Sequence, residues 1–208
     1  MTNPPFHKLF NKMSLAAMCF GIAMGTAPSF AQTTDDLPVV QVQATTDAGA
    51  GQRINLSGKL RMLTQRVAAS ACYVQAGIVP QDSVSMLEGA VAEFTLIVGA
   101  LEYGNEDLGI FGAEEHRKTL MGVAKLKELW APMEATAMTV AMGAGTPQDV
   151  EAIATQSAKV LEIAQRLVAE ITGQYANPAA LRQADAMVID LAGRQRMLAQ
   201  RVSKNVCL

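Results

Sequence analysis

The chain has 208 residues, half of them hydrophobic, and a formal net charge of −2. This length and apolar content suffice for one domain with a sizeable core, and the charge excludes the overall basic field that favours a nucleic-acid partner. Aromatic residues make up only 5% of the chain, and a composition dominated by Ala, Leu, Val and Met favours packed helices over a β-sandwich.

Residues 1–31 are predicted to be a signal peptide. Lys8 and Lys12 precede the short apolar run MSLAAMCFGIAMG, and the small residues of SFA precede Gln32. A basic segment, an apolar segment and a small-residue cleavage site in this order are typical of export, and the run is short for a membrane span. We therefore expect a periplasmic protein that begins near Gln32. An uncleaved N-terminal anchor is the alternative.

The remaining chain is predicted to be all-α. Residues 32–49 lack helical periodicity and are expected to form a flexible leader, and residues 50–208 form one helical domain. Start and stop signals divide this domain into segments 51–76 (with Pro80 as a stop), 82–104, 114–142 (kinked at Pro132), 146–172 (capped by Gly173) and 177–208. We expect an antiparallel four- to five-helix bundle, in which the last two segments are either separate helices or one long kinked helix.

One sequence segment occurs near both ends of the helical domain. INLSGKLRMLTQRV at 54–67 and IDLAGRQRMLAQRV at 189–202 carry the same residue at most positions, at a constant offset. In the second copy an apolar face is formed by Val188, Leu191, Leu198 and Val202. The helical periodicity of these residues predicts that this face packs into the core.

Each copy also carries a second, unusual face. Its residues are Gly58, Arg61 and Gln65 in the first copy and Gly193, Arg196 and Gln200 in the second. A glycine inside a helix costs about 1 kcal/mol relative to alanine, so its repetition at one position indicates that another backbone comes close.

An identical helix is one candidate for the approaching backbone. Two guanidinium groups would then meet across the contact, which is unfavourable unless an anion lies between them. We therefore expect homodimerisation through the glycine-bearing faces and a small oxyanion ligand, with the glutamines adding hydrogen bonds. The simpler alternative is a duplicated packing helix whose arginines are solvated.

The repeated segment resembles the signature of a known sensor domain. This domain lies at the N-terminus of NarX-type nitrate/nitrite sensor kinases and of PilJ, the type IV pilus methyl-accepting chemotaxis transducer. Residues 189–204, IDLAGRQRMLAQRVSK, are close to the pilus-type form INLAGRQRMLSQRMAK, and LRM in the first copy is closer to the nitrate-sensor form. The chain between the copies is similar only in helical character and spacing.

The resemblance implies a non-catalytic module that senses a small oxyanion such as nitrate or nitrite. It assigns the anion to the arginine before the methionine, which is Arg61, with Arg196 as its counterpart in the second copy. Further matched motif positions are Gly58 and Gly193 at the close approach, and Arg66 and Arg201 downstream with a weaker ligand role.

The sequence stops shortly after the second copy, whereas those receptors continue into a membrane helix and signalling regions. We therefore expect a free exported module that passes its signal to a membrane receptor or to a pilus or chemotaxis partner. The alternative function is a structural adaptor that dimerises through the repeated segments without a ligand. Thermal stabilisation by nitrate or nitrite that Arg61→Ala abolishes would separate the two.

Little in the sequence favours an enzyme, a cofactor or a metal site. No serine-nucleophile motif, Cys-x-x-Cys-His or pair of Glu-x-x-His segments is present. His116 is the only histidine after the predicted signal peptide, so a two-histidine zinc site is excluded. We interpret His116, next to Glu114 and Glu115, as a surface residue at a helix start.

Cys72 and Cys207 hold equivalent places in the two copies. If the first and last helices are parallel, as in an up-down bundle of five helices, the two cysteines lie at the same height and a disulfide can form. If the last two segments form one rod, the cysteines lie at opposite levels. The export context favours a bonded pair, and both arrangements remain open from the sequence.

Overall fold

The computed structural model describes residues 45–176 and 183–208. Five helices form in this part of the chain: α1 Thr45–Gln75, α2 Pro80–Tyr103, α3 Arg117–Ala141, α4 Pro147–Tyr175 and α5 Gln183–Cys207. A short 3-10 turn, Glu106–Leu108, lies between α2 and α3, and no strand occurs among the described residues. The all-α bundle is therefore confirmed. The predicted signal peptide, nearly all of the predicted leader and the predicted start of the last helix at Asn177–Pro178 lie outside these residues.

Several helix ends differ from the sequence prediction: α1 begins at Thr45, inside the predicted leader, and α3 begins at Arg117 instead of residue 114. Two further differences have a local explanation. Pro80 begins α2 instead of ending α1, because the backbone turns at Gly77 and Val79, both at positive φ, and proline suits the first helical position. Gly173 lies inside α4, which continues to Tyr175. A glycine in the last turn costs a helix only about 1 kcal/mol, and the side chain of Tyr175 is anchored by hydrogen bonds to Glu114.

The start of α4 follows its sequence signal closely. Thr146 accepts a hydrogen bond from the backbone N–H of Asp149, whose carboxylate accepts one from the N–H of Thr146. This reciprocal pair satisfies two N–H groups that the first turn leaves without helical partners. Pro147 at the first helical position is already restricted to a helical φ.

Helix α1 lies at the centre of the bundle and contacts the other four helices. Its apolar side chains are buried around most of the circumference, and Leu60, Leu63 and Val67 are fully inaccessible. Away from α1, α2 meets α3 through a stacked pair of rings, Phe94 and Trp130, with 3.8 Å between their centroids. Because four helices cover α1, polar side chains on it must find partners inside the protein.

The packing face of α5 is not the one predicted from its periodicity. Val188, Leu191, Leu198 and Val202, expected in the core, are each at least 46% exposed. The face that carries Gly193 lies against α1 instead. The prediction was wrong because a close helix contact and a buried charge on α1 both require the glycine face, as the site geometry below explains.

Helices α1 and α5 are parallel and in register. Cys72 and Cys207 are joined by a disulfide with their Cα atoms 6.1 Å apart, and the hydroxyl of Tyr73 lies 2.7 Å from that of Ser203 one turn before. At the other end of α1, Arg53 lies over the ring of Tyr175, near the end of α4. The chain therefore reverses direction between α4 and α5, and the two are separate helices.

The disulfide yields a first prediction. The unfolded, non-reduced protein should contain no free thiol from Cys72 or Cys207, and reduction should lower the free energy of unfolding. For a sequence separation of 135, the chain-entropy model gives a stabilisation of about 4–5 kcal/mol. Thiol titration in denaturant, with urea unfolding of oxidised and reduced protein, measures both. Two thiols in the oxidised sample would contradict the prediction.

Candidate functional site at the crossing of the repeated helices

The two repeated segments cross at their glycines. A Cβ added to Gly193 would lie 2.7 Å from Nη2 of Arg61 and 3.8 Å from Cα of Gly58. A Cβ on Gly58 would lie 3.4 Å from the same Arg61 nitrogen. The glycines therefore let the two backbones approach and leave room between them for one guanidinium group. The faces predicted to meet across a homodimer meet within one chain, so a dimer would have to use another surface.

Arg61 is a buried charge that α5 neutralises. Its side chain is 2% exposed, and Nη1 lies 2.8 Å from Oδ1 of Asp190. Nη2 donates to the backbone oxygen of Asp190 (3.1 Å) and Nε to that of Gly58 (3.4 Å). Burial lowers the pKa of Arg61 and the Asp190 carboxylate opposes this shift. Because a guanidinium stays protonated in proteins, it needs this partner.

The equivalent residues of the two copies form a second contact, in which the second copy supplies the arginine and the first copy its partner. Arg196 is the equivalent of Arg61, and its Nη2 donates to Oδ1 of Asn55, the equivalent of Asp190, at 3.0 Å. The two contacts differ in charge and in burial, because Asn55 is neutral and Arg196 is exposed. Of these two contacts, the one made by Arg61 is a buried ion pair and the one made by Arg196 is not.

Positive charge exceeds negative charge around Asp190. Its Oδ2 accepts a hydrogen bond from Nε of Arg194 at 2.8 Å, and the charges of Arg194 and Arg196 both lower the pKa of Arg61. Two guanidinium groups, those of Arg61 and Arg194, thus contact one carboxylate that is itself 21% exposed, and the charge of Arg196 also acts on Arg61. A cluster of this composition attracts small anions although the chain as a whole is slightly acidic.

A cleft gives access to this cluster. It has a volume of about 470 Å³ and lies between α4 and α5, with Arg61, Asp190 and Arg194 in its wall. Thr172 of α4 also lines it, and the Thr172 hydroxyl is buried without a hydrogen-bond partner among the described residues. Arg196 lines a separate groove with Asn55. The two arginines predicted to act together therefore open onto different sides of the crossing.

The other predicted residues lie away from the cleft. Gln65 is fully buried and donates to Oγ1 of Thr64 (3.3 Å), and its Oε1 lacks a partner in the described part of the chain. Arg66 and Gln200 are half-buried and Arg201 is exposed. None of the four belongs to the cleft wall.

Sequence reasoning did not identify Asp190 and Arg194 as residues of the site. The signal that could have revealed Asp190 is the one acidic change within the repeat, Asn55 to Asp190. Its meaning depends on knowing that the two copies lie side by side and parallel, because only then does Arg61 reach Asp190. Thr172, on another helix, left no signal in the sequence.

A second buried polar cluster lies at the end of the bundle near the N-terminus of α1. The fully buried carboxylate of Glu114 accepts hydrogen bonds from Tyr175 (2.9 Å) and from the backbone N–H groups of Glu115 and His116, and Nδ1 of His116 lies 2.8 Å away. Arg53 Nη1 is 3.6 Å from the same carboxylate. His116 is half exposed and immediately precedes α3, as predicted from the sequence. This cluster fastens the connection between α2 and α3 to α1 and α4.

The described residues contain no group of three His, Cys, Asp or Glu side chains that could hold a metal ion. In the same part of the chain, α2 is long and apolar enough to cross a membrane by length and composition. Its residues Leu87, Phe94 and Leu101 are fully buried in the bundle, and a buried core helix of a bundle has the same length and apolar composition.

Comparison with known proteins identifies the family. The family model PilJ, described as the type IV pili methyl-accepting chemotaxis transducer N-terminal domain, matches residues 43–161, more than half of the chain. The chain belongs to this family. Its domains are sensory and non-catalytic. The match includes the first copy of the repeat and ends before the second. No curated protein and no solved structure gives a significant match.

The glycine crossing yields a second prediction. Gly193→Ala should lower the free energy of unfolding by about 1–3 kcal/mol, because the new methyl group would displace the buried Arg61 guanidinium from Asp190. The matched control is Gly99→Ala in α2, where an added Cβ meets nothing within 4 Å and alanine should stabilise by up to about 1 kcal/mol. Urea unfolding of both variants measures the difference, and equal effects would contradict the role of Gly193.

Glu114 yields a third prediction, on pH dependence. Burial alone would raise its pKa, but hydrogen bonds from His116 and Tyr175 and the charge of Arg53 outweigh burial and lower the pKa below the ordinary 4.5. The same surroundings, burial first and then the bond to Glu114, raise the pKa of Tyr175 to about 12. A carboxyl group whose pKa is lower in the folded state than in the unfolded state stabilises the folded protein at pH values above its unfolded-state pKa. This contribution is lost as the pH falls from about 4.5 through the folded-state pKa.

Urea unfolding between neutral and acidic pH tests this assignment. Glu114→Gln should cost about 3–5 kcal/mol at pH 7, because it leaves Arg53 buried without its counter-charge, and the variant should lose less stability on acidification than the wild type. Glu128→Gln, which removes the exposed partner of Lys125, is the control and should change stability by less than about 1 kcal/mol. Parallel pH profiles for wild type and Glu114→Gln would contradict the assignment.

Proposed function

We propose that this domain is a periplasmic sensory module that binds a small oxyanion, such as nitrate or nitrite, in the cleft between α4 and α5. The observation that carries the proposal is that Arg61 and Arg194 both contact the carboxylate of Asp190 in the wall of an accessible cleft, while the charge of Arg196 also acts on Arg61. Membership of a family of sensory domains supports it. Guanidinium groups suit planar oxyanions because their N–H donors are themselves planar and paired.

Binding of the anion would compete with an interaction inside the protein. Asp190 now occupies the donors of Arg61 and also accepts from Arg194. An oxyanion in the cleft would share these donors, and the Thr172 hydroxyl in the same wall could donate to it. Since Arg61 belongs to α1 while Asp190 and Arg194 belong to α5, the anion would change how strongly α5 is held on α1. A ligand shifts a conformational equilibrium only through such differential contacts.

Export and signalling partners belong to the same proposal. The disulfide between Cys72 and Cys207 is of the kind that persists in oxidising compartments, which supports a periplasmic location and the signal peptide inferred for residues 1–31. The change in α5 would be passed to a membrane receptor or to a pilus or chemotaxis partner, with no reaction catalysed.

A structural adaptor without a ligand is the second candidate. It is favoured by the completeness of the Arg61–Asp190 contact, because a guanidinium already paired with a carboxylate needs no anion. The two functions differ in one measurable property, the response of the protein to anions.

The fourth prediction tests the anion site through Asp190→Asn. This variant turns the second copy into the Asn form of the first and removes the competing carboxylate, so the net charge of the cluster becomes more positive by one unit. Calorimetric titration with nitrate, nitrite, formate and acetate should show oxyanion binding at least about tenfold tighter than in the wild type, equivalent to about 1.4 kcal/mol. Arg194→Gln should weaken binding, and Arg61→Ala should abolish both binding and anion-dependent thermal stabilisation.

The matched control for Arg194→Gln is Arg166→Gln. Arg166 pairs with Glu162 on the exposed side of α4 and does not line the cleft, so anion affinity should be unchanged. Circular dichroism establishes that each variant is folded. Indifference of both the wild type and Asp190→Asn to all four anions at millimolar concentration would reject the sensor and leave the adaptor.

A further inference from the structure

The outer face of α5 exposes the largest set of apolar side chains in the described part of the chain. Its exposed large residues are Met187, Val188, Leu191, Leu198, Val202 and Val206, followed by Leu208 just beyond the helix. On α2 and α3, by contrast, such residues are few and scattered, as at Leu96 and Met121. A contiguous exposed apolar stripe of this kind marks an interaction surface.

The stripe follows the spacing of a helix-pairing seam. Ala184, Val188, Leu191, Gln195, Leu198 and Val202 succeed one another at alternating intervals of four and three residues, and all six are exposed. This is the heptad pattern of positions that interlock with a second helix. The residues turned toward α1 also repeat every seven positions, at Gly193, Gln200 and Cys207, on the opposite side of the helix. Helix α5 therefore has two seams, of which α1 covers one.

We propose that the exposed seam, Ala184 to Val202 of α5, pairs with the same seam of a second copy of this chain, parallel and in register. Gln195 favours a second copy over an apolar partner. It is the one polar residue of the stripe, and opposite an apolar surface its amide would be buried without hydrogen bonds. Opposite its own counterpart, the amide can donate and accept reciprocally, as polar residues at such positions do in paired helices.

The charges beside the seam favour the parallel orientation. Arg194 and Arg201 lie on one edge of the stripe and Ala192 and Ala199 on the other, and all four are exposed. In an antiparallel pair the arginine edges of the two copies would face each other, with like charges opposed. In a parallel pair the arginine edge of one copy faces the alanine edge of the other. The repulsion is then avoided and the arginine stems can cover apolar surface.

This dimer goes beyond the proposed anion site and does not depend on it. It uses the face of α5 opposite to the glycine face through which dimerisation was predicted from the sequence. A single pair of helices buries less area than a standard stable interface, so we expect a dimer that dissociates in the micromolar range.

The fifth prediction is the oligomeric state, measured by sedimentation or light scattering on protein with its disulfide intact. The wild type should be a dimer at about 100 micromolar and dissociate on dilution. Leu191→Glu and Leu198→Glu should be monomeric throughout this range with unchanged helix content, because both side chains are already in solvent. Leu96→Glu on α2, where the leucine is 50% exposed, is the matched control and should remain dimeric.

Orientation is tested by Gln195→Cys. In a parallel, in-register pair the new cysteines face each other and should form an intermolecular disulfide on mild oxidation, which Leu191→Glu should prevent. A monomeric wild type at the highest concentration, or a dimer indifferent to both glutamate substitutions, would overturn the proposal. So would binding of the monomer to lipid vesicles that the same substitutions abolish. A dimer that Gln195→Cys fails to cross-link would overturn the parallel register.

Discussion

The buried charge of Arg61 is the constraint on which the arrangement of this domain depends. Helix α1 is surrounded by other helices, so a guanidinium on it must be neutralised inside the protein. The carboxylate that does this belongs to Asp190 on α5, and it can reach Arg61 only if the two backbones approach closely at Gly58 and Gly193. That contact fixes the height of α5 along α1. Fourteen residues further along each helix, the same register brings Cys72 and Cys207 together.

The buried arginine–carboxylate contacts at Arg61 and at Arg53, both in the described part of the chain, have different roles. Glu114 is fully buried and receives several hydrogen bonds, so its cluster with Arg53 holds a connection in place. Asp190 is partly exposed, is shared between two arginines and borders a cleft. Access to solvent and surplus positive charge are what a ligand site needs. This difference is why the function is proposed for the crossing of α1 and α5.

The two repeat copies pair within one chain, whereas the sequence suggested that they would pair between two chains. A parallel pair of similar helices has the same contacts whether the helices come from one chain or from two, so the sequence could not distinguish these cases. In this domain the second copy takes the place beside α1 that a second chain was expected to fill. The exchange of Asn55 for Asp190 makes the pair unequal, with one charged and buried contact and one neutral and exposed contact. The proposed anion response depends on this inequality.

The sequence by itself determined the helical class, the capped start of α4 at Thr146, the repeat and the close approach of its glycines, because these follow from local backbone preferences and from spacing along one helix. Only the tertiary structure decided which face of α5 is covered. Periodicity shows that a helix has an apolar face, but it does not specify the partner. Here the glycine face of α5 packs against α1, since a buried guanidinium without its carboxylate costs more free energy than leaving Leu191 and Leu198 in water.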